Sequence, residues 1–146
     1  MKRLTRSIVL ASLIAFLLMA GCVTSAPQTT PLSGADASQV QALADPLADN
    51  ILASLGSRDF NAYTRDFDDV MLKLSTKTSF DSMVDNLDKQ FGAYQSRQAG
   101  KTYKIVQNGQ QYYLIVYPLK WEKGSLAMQL SLHYEDPHKV AGLYFK

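Results

Sequence analysis

At residue 93 the apolar side chains of this chain change their spacing from three or four residues to two. A 3.6-residue period builds one stripe of a helix, and a two-residue period builds one face of a strand. The chain is therefore divided into a helical half and a sheet half. Upstream, Val40, Leu43, Leu47, Ile51 and Leu55 mark an amphipathic helix over SQVQALADPLADNILASLGS, with Gly56 as its stop signal. Asp45-Pro46 within it reads either as an N-cap followed by a first-turn proline or as an interruption of a longer helix. Phe60, Tyr63 and Phe67 predict a short helix followed by a less regular connection. Phe80, Met83, Val84, Leu87 and Phe91 then form a clear stripe, with Thr78 as the expected cap, Asp81 in the first turn and Gly92 as terminator.

Downstream, TYKIVQ, QYYLIVYPLKWE, SLAMQLSLHYE and KVAGLYF read as four strands. Asn108-Gly109 is a strong hairpin signal, and Lys123-Gly124 and Asp136-Pro137 are turn positions. In the third run Leu126, Met128, Leu130, Leu132 and Tyr134 point one way, and Ala127, Gln129, Ser131, His133 and Glu135 the other. The second run is apolar on both faces and belongs at the sheet centre, where Pro118 requires a bulge or an unpaired ladder position. The expected class is α+β, with N-terminal helices packed on one face of a curved antiparallel sheet of about four strands.

The N-terminus carries a different message. Lys2, Arg3 and Arg6 precede an apolar run from Ile8 to Ala20. As a helix that run reaches roughly 20 Å, short of a hydrocarbon core of about 30 Å, so it reads as an export signal rather than a permanent span. The chain's one cysteine, Cys22, follows directly. Met19-Ala20-Gly21-Cys22 resembles a bacterial lipobox. The resemblance implies cleavage between Gly21 and Cys22, a diacylglycerol thioether on Cys22, and stable attachment to membrane lipid through two or three acyl chains. Val23 follows, not the aspartate that commonly retains such proteins in an inner membrane. Outer-membrane sorting is implied where the host has an outer membrane. The expected organisation is a signal over 1–21, a lipidated tether over 22–37 rich in Thr, Ser, Ala and Pro, and a globular domain over 38–146.

Cleavage before Cys22 leaves 125 residues with 12 Lys and Arg against 13 acids. Such a balance gives no electrostatic case for nucleic acid. With a single cysteine the chain forms no internal disulfide and must rely on its core, which this length allows. Charge is uneven: residues 36–91 hold ten Asp against five Lys and Arg, and residues 92–146 hold seven Lys and Arg against three acids.

The phrases RDFNAYTRDFDDVM, FGAYQS, PLKWEKGSLAMQLSL and KVAGLYFK together resemble domain of unknown function 3887, over about Ser38 to Lys146. The resemblance implies a small exported or lipid-anchored protein. It also implies a shape similar to the nuclear transport factor two-like (cystatin-like) superfamily, a cone of helices in a curved sheet. It brings no established catalytic residues to carry over.

The residues themselves offer few sites. Asp66, Asp68 and Asp69 read as a solvated face or as caps rather than paired catalytic carboxylates. His133 and His138 with Glu135 and Asp136 are too few and too constrained by strand alternation and a tight turn for a metal site, so neither a metal nor another cofactor is expected. Tyr112, Tyr113, Tyr117, Trp121 and Tyr134 make the sheet aromatic, mostly as core or rim. Tyr113, Tyr117, Trp121 and His133 are the candidate contacts for a small apolar ligand or an envelope protein. The chain carries no nucleophile elbow, phosphate loop or dinucleotide fingerprint. The expected role is a membrane-anchored envelope lipoprotein that binds a ligand or partner without catalysis. The two rivals are a structural subunit working through a sheet face or edge, and a small-molecule enzyme with a titratable group inside a cone pocket.

Overall fold

The computed structural model describes residues 26–146. Cys22, Gly21 and the signal segment lie outside the described residues. From Gln28 the order is β1 (Gln28–Pro31), α1 (Gly34–Ser57), α2 (Phe60–Thr64), α3 (Asp69–Leu74), α4 (Lys77–Phe91), β2 (Tyr94–Arg97), β3 (Lys101–Gln107), β4 (Gln110–Trp121), β5 (Gly124–His133) and β6 (Val140–Phe145). The class is α+β, and the sheet has six strands among the described residues rather than about four.

Both additional strands have a physical reason. Residues 28–37, expected as tether, instead form β1 and the first turn of α1. Gln28–Pro31 pairs antiparallel with β3, a pairing that no local apolar pattern announces, because all four residues stay exposed. The run after residue 93 is broken: β2 pairs with Leu119–Trp121 of β4, and β3 pairs with Gln110–Val116. The two strands thus share one edge of β4, which lies in the middle of the order β1-β3-β4-β5-β6. Pro118 falls opposite the break. Its carbonyl accepts from the Gln98 N–H at 2.9 Å, so its missing N–H also faces the interruption, where it costs no ladder bond. The β3–β4 hairpin turns at Asn108-Gly109, both with positive φ (51° and 78°), as a primed two-residue turn demands.

The helices cover one sheet face. Ile115, Tyr117, Leu119 and Trp121 of β4 and Met128, Leu130 and Leu132 of β5 point into a core with Ile51, Leu52, Phe80 and Val84. α1 runs through Pro46 as one helix and ends at Ser57; Arg58, not Gly56, takes the left-handed cap position (φ 56°). Its buried stripe is rotated from the expected one: Ala44 and Ala48 are fully buried, and Leu43 is 41% exposed. The same core holds Tyr117, whose ring is buried and whose hydroxyl donates to Asp45 of α1 at 2.9 Å. Arg97 ties α1 to β2 by pairing with Asp49 at 2.6 Å and Asp45 at 3.2 Å. The connection after α2 contains the short helix α3, and the cap of α4 is Thr76, which exchanges bonds with Ser79, rather than Thr78. Among the described residues no helix is long and apolar enough to cross a membrane.

Candidate functional site

Strand alternation decides which side chains reach the open sheet face. Since Met128, Leu130 and Leu132 point inward, His133 at the end of β5 points outward, opposite Tyr112 of β4. The two rings lie 5.4 Å apart at 44°. From the other side comes Asp68. Phe67 is buried, and the backbone around it joins the start of β6: Asp68 N–H donates to the Val140 carbonyl and Val140 N–H to the Asp66 carbonyl, both at 2.9 Å. With Phe67 held inward, Asp68 faces outward. It caps α3 by accepting from the Met71 N–H at 2.7 Å, and its other oxygen lies 2.8 Å from His133 Nε2.

Burial opposes ionisation of Asp68. The Met71 N–H, the His133 ring and the Val70 N–H outweigh it and hold the carboxyl below its ordinary value. Facing an ionised Asp68 oxygen, His133 Nε2 is the donor of this contact. The neighbouring aspartates do other work: Asp66 accepts from Arg65, and Asp69 lies in the first turn of α3.

His133 is half-buried and lines three adjoining hollows. The largest, about 620 Å³, lies between Arg65, Val70, Leu72, Pro137 and Lys139. One of about 400 Å³ opens onto Ile105, Tyr112 and Ser131, and one of about 380 Å³ onto Gln110, Tyr134 and Glu135. The pair thus sits at a junction of open hollows lined by charged side chains such as Arg65, Asp69, Glu135 and Lys139 together with the apolar Val70, Leu72 and Pro137. Among the described residues no hydroxyl or thiol hydrogen-bonds to His133, and no three His, Cys, Asp or Glu side chains converge to hold a metal. His138 turns away, its Nδ1 3.1 Å from the His133 carbonyl oxygen and its ring 6.1 Å from that of Tyr113.

The four aromatic and histidine contacts expected from the sequence do not assemble. Tyr117 and Trp121 are core residues, 0% and 3% exposed, on the helix-covered face. Tyr113 shares that face at its open end, where it meets Tyr134 at 4.9 Å. His133 alone lies on the opposite face, and its aromatic neighbour is Tyr112. Asp68 was readable only as a cap. Its pairing with His133, like the Arg97 bridge to Asp45 and Asp49, depends on strand register.

A family model described as "Protein of unknown function (DUF3887)" matches residues 48–143, from within α1 into β6. No curated protein matches. Among solved structures, the chain is similar to one described as "NMR structure of protein from Ruminococcus gnavus ATCC 29149", at 16% identity and a TM-score of 0.59. The alignment covers 80% of this chain and 98% of that one. At this identity the likeness concerns the fold.

Proposed function

The chain belongs to the DUF3887 family, and on that premise we propose that it is a lipid-anchored domain of the cell envelope that binds a small ligand or a partner without transforming it. The observation that carries this reading is the filling of the helix-covered sheet face. Ile115, Tyr117, Met128, Leu130 and Leu132 are fully buried under the helices, where a cone-pocket enzyme would hold its titratable group over a cavity. The polar pair that meets open space, Asp68–His133, is instead at the rim of the sheet. It lies among charged and apolar side chains, and among the described residues no hydroxyl or thiol hydrogen-bonds to His133. The order of helices on one sheet face also supports kinship with the nuclear transport factor two-like superfamily. The lipobox at Cys22 supports the anchor, and Val23 after it supports outer-membrane sorting where that membrane exists.

Two measurements test the two halves of the reading. Cys22→Ser should abolish labelling by a fatty-acid probe; unchanged labelling removes the lipid anchor. Native mass spectrometry of protein extracted from envelopes in mild detergent should show a retained species with the unaltered chain and with Lys77→Ala. The species should be lost with His133→Ala. Detection of the bare chain alone in all three, or equal retention in all three, removes the binding role of the cleft.

A further inference from the structure

The first strand limits how the domain can stand on a membrane. β1 lies antiparallel to β3 with Gln28 opposite Val106, so the chain enters the sheet at the end that holds the Asn108-Gly109 turn. The same end carries His133, the loop from Tyr134 to Lys139, and the Asp66–Val70 segment joined to Val140. Between Cys22 and Gln28 there are six Cα–Cα steps. At about 3.5 Å per residue, no path of that length exceeds roughly 20 Å. The opposite end of the sheet lies a full β4 away; its 12 residues span roughly 35–40 Å at about 3.3 Å each.

Apolar surface is present at both ends, so it does not by itself choose between them. Val70 is 63% exposed and Leu72 44%, and Tyr134 and the half-buried Tyr112 line the smaller hollows at His133. At the other end the β4–β5 turn exposes Glu122, Lys123, Gly124 and Ser125, beside a hollow of about 740 Å³ along Met83, Phe91, Leu126 and Phe145. Aromatic rings with one polar tip suit the headgroup layer of a bilayer. The charges near the cleft are mixed, with Lys104 and Lys139 alongside Asp69, Glu135 and Asp136. Attraction to anionic lipid therefore does not supply the orientation; the short tether does.

We infer that the sheet end holding the Asp68–His133 cleft is docked against the lipid surface that anchors the chain, so that the cleft is loaded from the bilayer side. The inference rests on the lipid-anchored reading above and adds an orientation to it. The occupant of this surface is the headgroup layer itself.

The test uses the full lipidated chain in phosphatidylcholine vesicles with a trace of headgroup-linked acceptor dye. A donor is placed at Gln110→Cys or at Lys123→Cys, both exposed positions at opposite ends of β4. The thioether of Cys22 does not react with the label. Energy transfer should be several-fold higher from position 110 than from position 123, and should not change between low and high salt. Equal transfer overturns the inference, whether the domain lies flat, stands clear, or reserves this end for a protein or a second copy. Stronger transfer from position 123 overturns it outright. Acyl labelling and co-flotation measured on the same samples separate the two layers: their loss removes the lipoprotein reading and the orientation together, and their presence with equal transfer removes the orientation alone.

Discussion

His133 Nε2 lies 2.8 Å from an Asp68 carboxylate oxygen, although 65 residues separate them in the chain. Asp68 is at once the cap of α3 and the partner of the histidine, so local stability and the cleft share one carboxylate.

Asp68→Ala should therefore cost about 1–2 kcal/mol, the usual loss for a helix cap. Asp68→Asn, which keeps an acceptor, should cost less. Because the Asp68 carboxyl is held below its ordinary value, its ionised form stabilises the fold above an unfolded value of about 3.9. That contribution is lost as pH falls through the folded value. Urea midpoints should separate the native chain from Asp68→Asn at neutral pH and bring them together near about pH 2–3. An unchanged gap at both pH values would contradict the assignment.

Alkaline titration should expose Tyr63. Burial pushes its phenol up to about 12 from an ordinary 10.0. A raised value means stabilisation that is present below 10.0 and lost as pH rises toward about 12. Its hydroxyl meets only the Met83 sulfur, at 4.0 Å. Tyr63→Phe should be near neutral at pH 7 and lose stability less steeply above pH 10; a curve parallel to that of the native chain would refute this.

Two glycines should respond in opposite directions. A Cβ on Gly100 would press on the Ile115 methyl and come within 3.0 Å of the Tyr117 ring, both fully buried. Gly100→Ala should cost about 1–3 kcal/mol, the usual range for overpacking. Gly56 lies inside α1 with nothing near its missing Cβ. Gly56→Ala should stabilise by about 0.5–1 kcal/mol. Emission from Trp121, the one tryptophan, reports both unfolding curves, since its ring is buried in the native state.

Arg97 should not tolerate lysine. Its guanidinium forks onto both oxygens of Asp49 at 2.6 and 3.0 Å and lies 5.0 Å from the centre of the Tyr117 ring. Its hydrogen bonds hold the Asp49 carboxyl below its usual value despite partial burial. An ammonium reproduces neither the fork nor the stacking. Arg97→Lys should cost about 1 kcal/mol, limited by the 62% exposure of Asp49, with a smaller difference in high salt. No change in denaturation midpoint would sink the claim.

The stripe Phe80, Val84, Leu87 was legible because helical spacing brings those residues together without help from the rest of the chain. The inward set Met128, Leu130, Leu132 was legible for the matching reason in a strand, and so was the outward position of His133. Leu43 was misplaced and Ala44 overlooked because periodicity weighs side-chain size, whereas the seat of α1 on the core turns its alanine stripe, Ala44 and Ala48, inward. Tyr117 and Trp121 were chosen as contacts for their chemistry, but alternation from Ile115 places both in the core. β1 carries no apolar pattern at all. It exists because β3 offers an unpaired edge.

The two periods, the Asn108-Gly109 turn and the central place of β4 follow from the order of residues alone. Each depends on backbone preference and on residues within one or two turns of one another. Folding of the whole chain is what brings Asp68 to His133, Arg97 across 48 residues to Asp49, and Tyr117 across 72 to Asp45. Those contacts depend on register and on the seat of α1 over the sheet, which only the packing of the whole core selects.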